Sequence, residues 1–184
     1  GFVEWHAGED DENSFAEQIA PETHWDLVDL AVIVSSQKKT ISSAAGHQLA
    51  AQSPFWRARQ AVLPERLNKV RRAILEHDFE TLGQETESEA LSLHAVALTS
   101  PHELQGSWSS GVYYWDCDTM GIMKSVQSWR MEGLPVYFTL DAGPTVHLLC
   151  EAGNAPKVRQ AVEKFQGDRN WQIVENAPAG GAHL

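Results

Sequence analysis

A chain of 184 residues, 42% hydrophobic and with seven Trp, is long enough for one domain with a true core, or for one large domain and a fragment of another. Its formal charge of −11 excludes the basic footprint that nucleic acid requires, and argues equally against an anionic membrane surface. A small anionic ligand stays open, because a few local cations and backbone N–H groups can dominate a pocket. No run of ~18 apolar residues is present to cross a membrane, and no signal peptide opens the chain. Cys117 and Cys150 form neither a CxxC pair nor a zinc spacing, so free thiols, no metal site and a cytoplasmic setting are expected.

Gly1–Trp5 opens in mid-element. The acidic, Gly-containing run Gly8–Asn13 reads as a solvated loop rather than a metal site. Ser14 is placed to cap a short helix over Phe15–Ile19, which Pro21 would stop. Leu27–Ser35 is an apolar run suited to a strand buried on both faces. Ser42 and Ser43 precede the Ala-rich stretch Ala44–Ala51, a helix N-cap signal. Such an N-terminus attracts phosphate, although an ordinary cap without a ligand fits the same residues. Lys38 and Lys39 either add positive charge to that segment or form a solvated pair.

Pro54–His77 reads as a helix interrupted at Pro64. Asp78 is placed to cap the next helix, Phe79 to Leu98, where Leu91, His94 and Ala95 share one face. His94 on that face reads as a packed histidine or as a site residue. Thr99 to Tyr114 reads as a loop. Trp115–Met131 is a helix by the spacing of Ile122, Val126 and Trp129, ended by Gly133. Asn154 is placed to cap a helix holding Val158, Val162 and Phe165. Trp171–Val174 is a last short strand, and Pro178–Leu184 a flexible tail by composition. Strands near 27–35, 136–141, 145–150 and 171–174, separated by helices, predict an α+β fold: a mostly antiparallel sheet with helices on one face.

The densest signal is Tyr137–Cys150. Two short apolar strands flank a Gly143-Pro144 turn, with the single carboxylate of Asp141 at its entrance, followed by Ala142. An Asp at a strand end beside a glycine suits a general base, and it equally suits the start of an ordinary turn.

Asp141-Ala142-Gly143-Pro144, with its aromatic strand before and apolar strand after, resembles the signature of the mevalonate diphosphate decarboxylases of the GHMP kinase superfamily. Four further stretches match in the same order: Gly1–Trp5, Ser35–Lys39 with Ser42–Gly46, Ser53–Trp56, and Leu93–Ala95. The likeness runs over nearly the whole chain and is weakest at Ser107–Gly111. It implies the superfamily's C-terminal domain over 27–184, with 1–26 the remnant of an N-terminal ATP-binding domain. The missing half would carry the phosphate loop and a catalytic Arg.

The resemblance further implies ATP-dependent decarboxylation of mevalonate 5-diphosphate or 5-phosphate, with Mg²⁺, in a homodimer acting on a small molecule. By the same likeness Asp141 is the catalytic carboxylate. Ser42, Ser43, Gly46, Lys38 and Lys39 hold the substrate's phosphate end, and His94, Ala142 and Gly143 line the site. One departure is Ala44, where many bacterial relatives carry Arg. Ser43–His47, Leu93–Val96 and Trp129–Pro135 are closer to an archaeal and Chloroflexi branch, some of whose members use the monophosphate. Two other readings stand beside this one: a small-molecule kinase of the superfamily that does not decarboxylate, and a non-catalytic interaction domain.

Overall fold

The computed structural model describes residues 1–181 apart from Ala7, Glu9, Asp11 and Lys38. Its centre is a four-stranded antiparallel sheet built from β3 (Leu27–Ile33), β6 (Tyr137–Thr139), β7 (Val146–Glu151) and β8 (Gln172–Asn176), in the order β6-β7-β3-β8. In chain order the strands alternate with helices as a split βαββαβ unit. The register runs from Leu27 opposite Glu151 to Val32 opposite Val146, and from Asp29 opposite Asn176 to Ile33 opposite Gln172.

Alternation along these strands sorts their side chains. Val28, Leu30 and Val32 of β3 join Val146, Leu148 and Cys150 of β7 and Phe138 of β6 on one face. On that face pack Ile122 and Val126 of α4 (Cys117–Met131) and Val158 and Val162 of α5 (Ala155–Gln166). Six of these eleven side chains come from three different strands and are at most 1% exposed, so this layer is the core. The opposite face carries a polar pair, with His147 Nδ1 2.9 Å from Asp29 Oδ2. The expected α+β sheet with helices on one face is therefore present. The helix α3 (Phe79–Leu98) runs against the β6 edge, capped by Asp78 as expected, and pairs with α2 (Trp56–Glu76).

Three local expectations fail. Phe15–Ile19 is not a helix but lies in strand β2 (Phe15–Ala20), antiparallel to β1 (Phe2–His6). Between them, Asp10 Oδ1 accepts from the N–H groups of Glu12 and Asn13. An isolated helix of one to two turns is marginal in water, whereas a hairpin pairs both backbones. Pro64 does not interrupt α2 either. Proline in a helix interior costs about 3 kcal/mol. Ion pairs to α3 offset part of that: Arg66 with Glu85 and Glu89, and Lys69 with Glu85.

Finally, 99–114 contains a hairpin, β4 (His102–Leu104) and β5 (Ser107–Ser109). Gln105 and Gly106 both take positive φ, 50° and 77°, as a two-residue hairpin turn demands. Smaller shifts occur at ends: α4 begins at Cys117 behind a capping box of Asp116 and Thr119, and Asn154 stands at the N-cap of α5 without a side-chain cap bond. Both cysteines are free. Among the described residues no helix is long and apolar enough to cross a membrane.

Candidate active site

Three segments meet at one end of the sheet. The first is the turn between β6 and β7. The chain leaves the ladder after Thr139, and the Asp141 carbonyl accepts from the Gly143 N–H at 2.8 Å. The same carbonyl accepts from His94 Nε2–H, 3.1 Å away on α3. From the other side, the hydroxyl of fully buried Thr119 on α4 lies 2.9 Å from the Pro144 carbonyl and 3.0 Å from Asp116 Oδ1, its single proton shared between them. The turn's backbone is thus held from two helices, while the Asp141 side chain stays exposed.

His94 is 1% exposed, and its ring lies 4.6 Å from that of Trp115. Burial pushes its pKa down to about 4, against a smaller opposing pull from its bond to Asp141 and the Asp141 charge. The ring is therefore neutral near pH 7, and its carbonyl partner fixes the Nε2–H tautomer. His94 acts on the backbone of Asp141, not on its carboxylate.

The second segment is the start of α1 (Ser43–Leu49). Ser42 is its N-cap, as the sequence indicates, with Oγ accepting from the Ala45 N–H at 3.2 Å. Ser43 is exposed on the first turn. Lys39, just before, places Nζ 3.3 Å from where a side chain on Gly143 would begin, so it joins α1's approach to the Asp141 turn. Lys38 lies outside the described residues.

The third segment, Tyr113–Asp116, leads into α4. The Tyr114 hydroxyl donates to the Ser42 carbonyl at 3.1 Å. Its ring stands edge-on to His94 at 6.1 Å and lies 6.0 Å beneath Lys39 Nζ. Tyr114 walls two cavities. One, of about 30 Å³, is bounded by Gly46, His94 and Ala142; the other, of about 380 Å³, by Lys39, His102, Trp115 and Pro144.

Ser42, Gly46, Lys39, His94, Ala142, Gly143 and Asp141 are therefore brought together, with Ser43 on the same segment. Sequence reasoning missed Tyr114, Trp115 and Thr119. Their only signal was a run of aromatics before the capping spacing Asp116-x-x-Thr119. The arrangement offers an exposed carboxylate on a fixed turn, a cation beside it and a helix start carrying two serines. It can bind an anionic ligand at one side and accept a proton at the other. Among the described residues no group of three or more His, Cys, Asp or Glu is placed to hold a metal ion.

A family model described as the mevalonate 5-diphosphate decarboxylase C-terminal domain matches residues 30–179. The diphosphomevalonate decarboxylase of Saccharomyces cerevisiae is 34% identical over 174 residues, covering 91% of this chain and 42% of that protein. The phosphomevalonate decarboxylase of Haloferax volcanii is 28% identical over 162 residues, covering 88% of this chain and 47% of that protein. A solved structure of the mevalonate diphosphate decarboxylase from Enterococcus faecalis, described by its mevalonate diphosphate mediated ATP binding mechanism, superposes with a TM-score of 0.78 at 26% identity. It covers 97% of this chain and 52% of that one. The chain thus spans somewhat under half the length of these two curated relatives.

Proposed function

The chain belongs to the mevalonate 5-diphosphate decarboxylase C-terminal domain family, and on that premise we propose that it supplies the substrate-side half of an ATP-dependent decarboxylase. The reaction takes a mevalonate 5-phosphate or 5-diphosphate and ATP to the matching isopentenyl phosphate, CO₂, ADP and phosphate. The 3-hydroxyl attacks the γ-phosphorus of ATP, and its proton goes to a base. The C3–O bond then breaks with loss of phosphate, the carboxylate leaves as CO₂, and its bonding pair becomes the alkene.

The observation that carries this reading is Asp141, an exposed carboxylate on a turn whose backbone is held by His94 and flanked by Lys39. In the proposed role it accepts the hydroxyl proton and faces the positive charge that develops at C3. Ser42, Ser43, Gly46 and Lys39 form the phosphate end of the same site. Hairpin β1–β2, within 1–26, is proposed as the end of the nucleotide-binding half, and 27–184 as the C-terminal domain. ATP and Mg²⁺ are assigned to the complete protein by the family likeness, and no step is routed through the ion. A homodimer rests on the family likeness, and a cytoplasmic setting on the cysteine usage read from the sequence.

The test is Asp141→Asn in the complete protein, with CO₂ release and ADP formation followed separately. We expect turnover to fall by about 10²-fold or more, with the ATP KM little changed, since general bases contribute on that scale. Near-normal CO₂ release would remove Asp141 from the mechanism. ADP formation without CO₂ in the wild-type protein would favour a kinase instead.

The substrate's phosphate count is proposed from Ala44, which cannot form a bidentate phosphate contact. The complete protein is expected to accept the 5-monophosphate at least as well as the 5-diphosphate. A diphosphate preference of ~10²-fold in kcat/KM, equivalent to ~2.7 kcal/mol, would place the missing contact on another residue.

A further inference from the structure

Tyr114 contacts residues of both halves of the proposed site. Its hydroxyl donates to the Ser42 carbonyl at 3.1 Å, and its ring edge meets His94, whose Nε2–H holds the Asp141 carbonyl at 3.1 Å. Ser42 and Asp141 are far apart in sequence and on different elements, so no local geometry sets their separation. The seat of the hydroxyl is tight. A Cβ on Gly46 would stand 2.2 Å from Tyr114 Oη, far inside contact distance, and 3.3 Å from Cζ. Gly46 is in the middle of α1, where glycine is a poor helix former, so its presence there needs a reason, and the hydroxyl supplies one. Lys39 Nζ above the same ring adds a third contact, to the segment that leads into α1.

We propose that Tyr114 is the positioning residue of this site: through its hydroxyl on Ser42 and its ring on His94, it sets the span between the phosphate end of the substrate and Asp141. It touches no reacting atom. Burial raises the pKa of the phenol, so the hydroxyl remains a proton donor across the working pH range. The proposal rests on the reading of the site given above.

The experiment compares Tyr114→Phe, Gly46→Ala and the double variant in the complete protein, with steady-state kinetics and thermal unfolding on each. Tyr114→Phe should raise the KM of the phosphorylated substrate by about 10-fold, the scale of one lost hydrogen bond, and leave the ATP KM within about two-fold. Gly46→Ala, which drives its methyl into the hydroxyl, should raise the substrate KM at least as far and lower the melting temperature. In the double variant the 2.2 Å clash is removed and only the 3.3 Å approach to Cζ remains, so both readouts should move back toward the level of Tyr114→Phe alone.

A Gly46→Ala defect of equal size in both backgrounds, or parallel rises in both KM values, would overturn the proposal. If the wild-type protein releases no CO₂, the proposed function fails by itself. The melting temperatures still decide whether Tyr114 seats against Gly46, and absence of suppression there would also overturn the positioning role.

Discussion

The inner face of the sheet and the turn at its end are built from neighbouring residues and held by opposite means. Phe138, Val146 and Leu148 are at most 1% exposed and lie against α4 and α5 through packing alone. A few residues away, between Leu140 and Thr145, the chain leaves the ladder and its carbonyls are held by side chains, with His94 on Asp141 and Thr119 reaching Pro144. Burial of apolar surface is non-directional, so it contributes stability without fixing any one atom. A hydrogen bond to a carbonyl fixes one atom and contributes only about 1 kcal/mol net. Stability therefore resides mainly in the first region and site geometry in the second.

Leu148→Ala should break the comparison hardest. It removes a fully buried side chain between β3, β6 and the helices, and such changes cost about 2–5 kcal/mol. Urea unfolding would read the loss, while turnover per folded molecule of the complete protein should stay near normal. A drop in turnover at full folding would mean that the core also sets the turn.

Acid tests the turn. His94 is neutral in the folded protein, with a pKa of about 4 against 6.5 for a free side chain. The unfolded chain therefore takes up this proton first, and stability must fall as the pH drops from about 6.5 to about 4. The full effect is about 3 kcal/mol at 1.36 kcal/mol per pH unit. Unfolding free energies measured across that range should show the slope, and His94→Gln, which keeps a donor toward the Asp141 carbonyl, should flatten it. An unchanged slope in the variant would assign the acid sensitivity elsewhere.

The weakest effect is expected on the open face and has the opposite sign. The Asp29 carboxylate hydrogen-bonded to His147 raises the imidazole pKa above its usual 6.5, against the effect of partial burial. This contribution is fully present below the unfolded pKa and is lost as the pH rises through the folded one. Half-buried pairs contribute on the order of 1 kcal/mol or less. Asp29→Asn should abolish the shift, which NMR titration of the His147 ring would show. A titration unmoved by that change would leave the raised pKa without its cause.

The two regions also differ in how far the sequence reveals them. Ser42 and Asp78 announce their helices because a cap bond spans three residues, and the β6–turn–β7 unit carries its own turn chemistry. The carboxylate, the serines and Lys39 are legible for the same reason, as neighbours within short motifs. Tyr114 and Thr119 are not, since their contacts lie 72 and 25 residues away along the chain. Likewise Pro64 reads as a break until the ion pairs from α2 to α3 are seen, and Phe15–Ile19 reads as a helix until β1 is placed beside it.

What the sequence determined by itself is the set of local units: strand alternation, helix caps, and the Gly-Pro turn with its Asp. Tertiary structure alone decided that β3 lies between β7 and β8, that a buried neutral histidine holds the Asp141 backbone, and that the Tyr114 hydroxyl meets the Ser42 carbonyl. The physical reason is range. Caps and turns are set within three or four residues, whereas burial and long hydrogen bonds exist only once distant segments have closed on one another, and one sequence read along its length does not contain those distances.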